Sequence, residues 1–254
     1  MAQTALAAPT YRVAQAQQGE ALGQTGWQLL FRVAGIGALA TAILIPLQVV
    51  AFIVWGLPQG GVLEWFQLFQ DNPVVALISY DLVMIIEEIL LVPIVIALFV
   101  ILRRSSRSLA AMATGLWLVS VALFIASNTA FDMLALSSGY AEASTATERA
   151  AYLAAGQAAL TSYMEYGTAF VVGYVLASVA GILVGVAMLR GHVFPAMAGW
   201  VATVANLLGL ALFVPSIGVW LSIGSVLLLI VWYAVVGWRL LRLPATSVEE
   251  ASHA

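Results

Sequence analysis

VVALISYDLVMIIEEILLVPIVIALFVILRRSSR, residues 74–107, decides what kind of protein this is. The 29 residues from Val74 to Leu102 are almost wholly apolar, and about 20 such residues are enough to cross a hydrocarbon core as a helix. Arg103, Arg104 and Arg107 follow at once. Basic residues in a short flanking loop are retained on the cytoplasmic side.

Five further stretches share this character, roughly 33–57, 109–131, 164–189, 194–214 and 216–238. All nine basic residues are arginine, and eight fall where a six-helix bundle needs them inside. Arg12 and Arg32 precede the first span, Arg190 divides the fourth from the fifth, and Arg239 and Arg242 follow the sixth. Only Arg149 lies on the other side. The expected fold is therefore all-α, an integral membrane bundle of six transmembrane helices with both termini cytoplasmic. Residues 1–26 read as a disordered cytoplasmic tail, 27–243 as the transmembrane domain and 244–254 as a second cytoplasmic tail.

Composition agrees with this reading. The 254 residues are 63% hydrophobic and 8% charged, against about a quarter charged in soluble domains. One bundle uses nearly all of that length, so no soluble catalytic module is expected. The net charge of -3 comes from the outer loops and the C-terminal tail, and no basic cluster is large enough to suggest nucleic acid. The expected partner is the lipid bilayer, with Arg103 to Arg107 as a topology anchor touching anionic lipid. Cysteine is absent, which excludes disulfides, thiolate catalysis and iron–sulfur ligation. The first 26 residues lack the basic and apolar regions of a cleaved signal peptide.

Two outer connections are long. Pro58 to Pro73 carries Glu64, Trp65, Phe66 and Phe69 and predicts a short interfacial helix. In 132–163, Thr145 followed by Glu148 reads as a capping box opening an amphipathic, Ala-rich helix over the outer mouth. Trp27, Phe31, Trp55, Trp65, Phe66, Trp232, Tyr233 and Trp238 lie near the proposed helix ends and read as interfacial anchors. Pro46 and Pro93 fall inside spans and read as packing bends.

The anomaly is acidic. Asp81, Glu87 and Glu88 interrupt the second span, and a central ionised acid costs about 2.5–3.5 kcal/mol to insert. Three together cost on the order of 8–10 kcal/mol, which the strongly apolar residues of the span, at about -0.3 to -0.6 kcal/mol each, just offset. On an unbroken helix, residues seven apart differ by only about 20°, so Asp81 and Glu88 are expected on one face beside Met84. Glu87 shares a second face with Tyr80. No arginine, lysine or histidine lies at comparable depth, so the acids must be protonated, hydrogen-bonded, hydrated or paired with a bound cation. At least one of the adjacent Glu87 and Glu88 is expected to be neutral at pH 7.

Helix depth places Gln48, Asn128, Tyr174, Ser178, Asn206, Ser222 and Ser225 between the midplane and the outer third, where they are expected to line one outward-facing cavity. Asp132, Tyr163, Glu165 and Tyr166 would surround its mouth. For isolated polar residues, helix-to-helix hydrogen bonding at about 0.6 kcal/mol each is the simpler role. The candidate binding set is Asp81, Glu87, Glu88, Gln48, Asn128, Asp132 and Asn206.

Catalytic motifs do not survive inspection. Glu87-Glu88 lacks the arginine and the membrane histidines of the intramembrane prenyl-protein proteases, and Tyr80-Asp81 lacks the second, Gly-x-Gly-Asp motif of the aspartyl proteases. His192 and His253 lie outside the expected core and cannot supply paired haem ligands. No catalytic residue, metal site or cofactor is assigned, and an enzyme is the least favoured reading.

Ala126-Ser127-Asn128-Thr129-Ala130-Phe131-Asp132-Met133-Leu134, Tyr166-Gly167-Thr168-Ala169-Phe170 and Met188-Leu189-Arg190 together resemble a group of bacterial multi-pass membrane proteins, the domain-of-unknown-function family numbered 4386. The resemblance implies a compact bundle in the bacterial inner (plasma) membrane and carries no activity with it. Two functional expectations follow from the residues. One is binding or transport of a proton, cation or small cationic molecule at the acidic site. The alternative is a non-catalytic scaffold or regulatory subunit acting through a protein partner.

Overall fold

The computed structural model describes residues 27–165 and 167–243. The two expected tails, with Arg12 and His253, and Tyr166 at the expected mouth lie outside the described residues. Nine α-helices occur among the described residues and no strand. They are α1 Gln28–Trp55, α2 Val62–Asp71, α3 Pro73–Ser79, α4 Leu82–Ser127, α5 Ala130–Glu142, α6 Ala146–Tyr163, α7 Thr168–Arg190, α8 Ala196–Leu210, which runs on into a 3-10 turn at Ala211–Phe213, and α9 Gly218–Arg242. Among the described residues, five helical stretches are long and apolar enough to cross a membrane, namely Gln28–Trp55, Leu82–Glu142, Ala146–Arg190, Ala196–Phe213 and Gly218–Arg242. The chain is thus built as a multi-pass membrane protein.

Packing is inverted to match an apolar solvent. Large aliphatic and aromatic side chains stand on the outside, among them Ile53 at 76% and Trp220 at 74% exposure. Small residues fill the contacts between helices, including Ala34, Ala38, Ala97, Ala113, Ala180 and Ala187. Small side chains let backbones approach closely where apolar lipid removes the hydrophobic drive to associate. Glycines face each other across two helix contacts: Gly185 of α7 against Gly199 of α8, and Gly35 of α1 against Gly237 of α9.

One connection is tighter than expected and one span is broken. Arg103 to Ser108, expected to separate two helices, does separate them: α4 is two helices that meet at Ser106, the one residue outside helical geometry, at φ -149° and ψ 67°. The chain reverses there: Glu88 and Leu91 from one half of α4 line the same cavity as Trp117 and Phe124 from the other. Conversely, the span expected to be unbroken over 74–102 is interrupted at Tyr80 and Asp81, between α3 and α4. Asp81 adopts the left-handed conformation, φ 69°, which aspartate tolerates better than most residues because its short polar side chain bonds locally.

The described arginines other than Arg149 gather at one end of the bundle. Ser105 of α4 lies against Gly191 after α7, Leu241 of α9 lies against Gly35 of α1, and Arg239 donates through Nε to the Val193 carbonyl at 2.8 Å. Over the opposite end lies a cap of α2, α3, α5 and α6 with its own core of Trp65, Phe66, Phe69, Tyr80, Met133, Leu160 and Tyr163. Trp65, Phe66, Phe31 and Trp232, expected as interfacial anchors, are therefore core residues at 3%, 0%, 5% and 2% exposure. Trp232 is drawn inside because α9 continues for ten residues beyond it, to Arg242. Trp27, Trp55 and Trp238 are exposed, as interfacial anchoring requires.

The cap helices begin where the sequence directs. Asn72 accepts from the Val75 amide at 3.1 Å with Pro73 in the first turn of α3. Thr145 and Glu148 form the expected capping box of α6. The Glu148 carboxylate accepts from the backbone amides of Thr145 and Ser144 and from the Ser144 hydroxyl, which holds it below the ordinary glutamate range.

Two outcomes follow. Gly185→Ala places a Cβ 2.7 Å from the Gly199 carbonyl oxygen and is expected to lower stability in detergent by about 1–3 kcal/mol through overpacking. Gly115→Ala meets open space and is expected to be neutral or stabilising, by up to about 1 kcal/mol; paired thermal melts check the opposite signs. Because the folded value of Glu148 is lowered, its stabilisation of α6 is present above the unfolded-chain value of about 4.3 and is lost as pH falls through the lower folded value. A carboxyl NMR titration of Glu148 should give a midpoint below about 4.3, moving upward in Thr145→Ala.

Candidate functional site

The break between α3 and α4 is held from three directions. Asp81 Oδ1 accepts from Gln48 Nε2 of α1, and Oδ2 accepts from the Tyr163 hydroxyl of α6 at 2.5 Å. The Asp81 carbonyl accepts from Asn128 Nδ2 at 3.2 Å, and Asn128 Oδ1 in turn accepts from the Ala130 amide at 3.0 Å. Tyr80, the other residue of the break, pairs its hydroxyl with Thr129 at 3.0 Å and is wholly buried between Trp65 and Tyr163. The carboxylate and carbonyl of Asp81 and the hydroxyl of Tyr80 have all found partners, as a break in an apolar solvent requires.

Glu88 is placed differently. One turn and a half into α4, it lines a cavity of about 150 Å³ at the centre of the bundle. Leu91, Trp117 and Phe124 of α4, Tyr174 and Ser178 of α7, Asn206 and Gly209 of α8, and Ser225 and Tyr233 of α9 share the lining. Glu88 Oε2 and Glu87 Oε1 are buried with no hydrogen-bond partner, as are single polar atoms of Ser79, Ser106 and Trp232. At 1.5 Å per residue, Glu88 stands about 21 Å from Leu102, roughly two-thirds of the way across a 30 Å core.

Expected shared geometry between Asp81 and Glu88 is corrected by this arrangement. The seven-residue spacing puts two side chains on one face only within a helix, and α4 begins at Leu82. Asp81 instead turns to α1 and α6 with Gln48 and Asn128, whereas Glu88 turns to the central cavity with Asn206. Asp81 also lies at the N-cap of the helix that holds the glutamates, not within its apolar run. The insertion cost then falls on Glu87 and Glu88 alone, about 5–7 kcal/mol.

Of the expected cavity residues, Tyr174, Ser178, Asn206 and Ser225 do meet Glu88, and Ser222 stands behind them, its hydroxyl 3.2 Å from that of Tyr174. Asp132 joins neither group; it is exposed in the first turn of α5. Glu165 is likewise exposed. Tyr163, expected at the mouth, is a direct partner of Asp81. Trp117, Phe124 and Tyr233 were not singled out for the cavity by polarity, and only the ring contacts of the fold bring them there.

Two other lining groups are internally satisfied. Asn206 Nδ2 donates to the Ala202 carbonyl at 2.8 Å and Ser225 donates to the Ser222 carbonyl at 2.6 Å. The two sites are separated by a file of rings, Tyr163, Phe170 and Tyr174, with successive centroids 5.9 and 6.1 Å apart. No cluster of three or more His, Cys, Asp or Glu suited to a metal occurs among the described residues.

These features define a polytopic helical membrane protein with one bonded and one unbonded intramembrane acidic site. Compared with known proteins, the chain matches no family model, no curated protein and no solved structure.

Asp81 is expected to act as the joint of the break. Tyr163→Phe should cost about 1–3 kcal/mol by leaving a buried acceptor short of a donor. Asp81→Asn, which keeps left-handed tolerance, should melt closer to wild type than Asp81→Leu, which adds about 1–2 kcal/mol of backbone strain; denaturation in detergent ranks the three.

Proposed function

We propose that this protein spans the membrane six times, with the reversal at Ser106 dividing α4 into two spans and the arginine end in the cytoplasm. Its proposed localisation in the bacterial inner membrane rests on the resemblance of 126–134, 166–170 and 188–190 to bacterial multi-pass proteins. Within that frame Glu88 binds a proton or a small monovalent organic cation, as part of a binding or transport cycle.

One observation carries this reading. Glu88 lines a cavity walled by Trp117, Phe124, Tyr174 and Tyr233, and one of its carboxyl oxygens is buried without a hydrogen-bond partner. A carboxyl group at membrane depth without a protein partner calls for a proton or a cation. Aromatic faces attract organic ammonium groups, worth up to about 2 kcal/mol when desolvated. The volume favours a small ligand: a cavity of about 150 Å³ elsewhere accommodates benzene, which is near the size of tetramethylammonium. Tyr, Ser and Asn groups among the rings make this cavity polar enough to hold water or a hydrated ligand, unlike a purely aliphatic one.

The scaffold alternative draws on Asp81, whose two carboxyl oxygens are both bonded within the protein. That acid serves architecture, and its presence argues for no ligand.

Thermal stability in detergent with tetramethylammonium or methylammonium chloride, against sodium chloride at equal ionic strength, tests the proposal. A ligand at 100 times its Kd should stabilise the wild type by about 2.7 kcal/mol, and Glu88→Gln should abolish the gain while Asp132→Asn keeps it. Equal curves for wild type and Glu88→Gln across the amines, together with no Glu88-dependent proton flux in proteoliposomes, would remove the binding role and leave the scaffold.

A further inference from the structure

A second and larger cavity, about 330 Å³, lies at the arginine end between the turn joining α7 to α8 and the last turns of α9. His192, Phe194, Pro195, Val235, Trp238 and Arg239 line it. Its volume falls within the range of about 300–1,000 Å³ that small-ligand sites occupy. Nothing in the reading of Glu88 uses it.

The lining divides by chemistry. Phe194 is buried at 3% exposure and Val235 is half-buried, so the floor is apolar. Arg239 and His192 are exposed at the rim. Arg239 spends only its Nε–H within the protein, on the Val193 carbonyl at 2.8 Å. That bond fixes the guanidinium plane and leaves the terminal amino groups to a ligand, the fork geometry that matches phosphate oxygens. Trp238 carries the Arg242 guanidinium 3.9 Å from its ring centroid, holding a second cation next to the cavity wall.

The field there is uniformly positive. Seven arginines, 32, 103, 104, 107, 190, 239 and 242, belong to this end among the described residues, and every described acid lies at membrane depth or at the cap end. Helix α8 opens at the cavity wall, with Pro195 as its N-cap, and a helix N-terminus carries partial positive charge. Arginines in the last turns of α7 and α9 also complement those helices' own C-terminal charge. That accounts for their positions but not for a hollow with an apolar floor beside them.

We propose that this cavity is a phosphate-binding site that takes the headgroup of an anionic phospholipid. Arg239 and His192 engage the phosphodiester, and Phe194, Val235 and Trp238 take the adjoining glycerol and first acyl carbons. The apolar floor is what favours lipid over free phosphate, because a free ion would leave that surface unmatched. Basic hollows between helices at the cytoplasmic face suit such headgroups.

The test uses the full chain, delipidated in a neutral detergent, with mixed micelles of phosphatidylglycerol, of zwitterionic phosphatidylcholine, or with inorganic phosphate. Phosphatidylglycerol should raise Tm by about 3–6 °C over phosphatidylcholine and remain attached in native mass spectra. Arg239→Gln should weaken retention about tenfold or more, whereas Arg104→Gln, an equal charge change away from the cavity, should leave it intact. Arg239→Gln also removes the bond to Val193, so His192→Gln, which breaks no described bond, serves as the second variant and should reduce retention in part. Equal losses in Arg239→Gln and Arg104→Gln would mean a diffuse charge effect and overturn the site. Inorganic phosphate giving the full gain at the same concentration would overturn the lipid assignment, and no preference for phosphatidylglycerol in the wild type would overturn both.

Discussion

A helix unwound in an apolar medium must have every freed polar group met from within the protein, and here that obligation falls on Asp81. Its carboxyl group is received by Gln48 and Tyr163, and its carbonyl by Asn128. These bonds join α1, the junction of α4 with α5, and α6 to one residue. The cap is keyed to the bundle at this point, since Tyr163 and Tyr80 belong to the cap core while Gln48 belongs to a long apolar helix. The direction in which α4 sets out, and with it the aim of Glu88 into the central cavity, depends on that joint.

Around the joint, close packing and incomplete packing coexist. Gly185 with Gly199, and Gly35 with Gly237, bring pairs of backbones into contact, which leaves no slack between α7 and α8 or between α1 and α9. Bulk returns at the centre, where Trp117, Tyr174 and Tyr233 stand around Glu88 without filling the space between them. A tight ring of helices about a part-filled middle sets a buried acid beside a cavity of hydroxyls, amides and ring faces, with one carboxyl oxygen unbonded. The same acid against lipid would have only its insertion penalty of about 2.5–3.5 kcal/mol.

Sequence reading succeeded where the physics is local or periodic. Apolar runs located the long helices, arginines marked one end of the bundle, and Thr145 with Glu148 opened α6 as their spacing requires. Depth along the helices also gathered Tyr174, Ser178, Asn206 and Ser225 around Glu88. The break at Asp81 escaped because its partners lie 33, 47 and 82 residues away, and hydropathy averages straight across it. The reversal at Ser106 took one residue where a loop of several was expected. Trp232 and Tyr233 misled because aromatic residues near a helix end resemble interfacial anchors until the helix proves longer.

The segregation of charge gives the molecule an electrical orientation as well as a structural one. With the arginine end inward, as proposed, seven positive charges face the negative side of an energised membrane, while Glu64, Asp71, Asp132, Glu142, Glu148 and Glu165 outnumber Arg149 at the other end. Each charge carried across the full potential is worth about 2.3 kcal/mol per 100 mV. An inverted copy would therefore be disfavoured by voltage on top of the cost of dragging arginines through hydrocarbon. In the proposed orientation, the voltage itself would help to keep copies facing the same way.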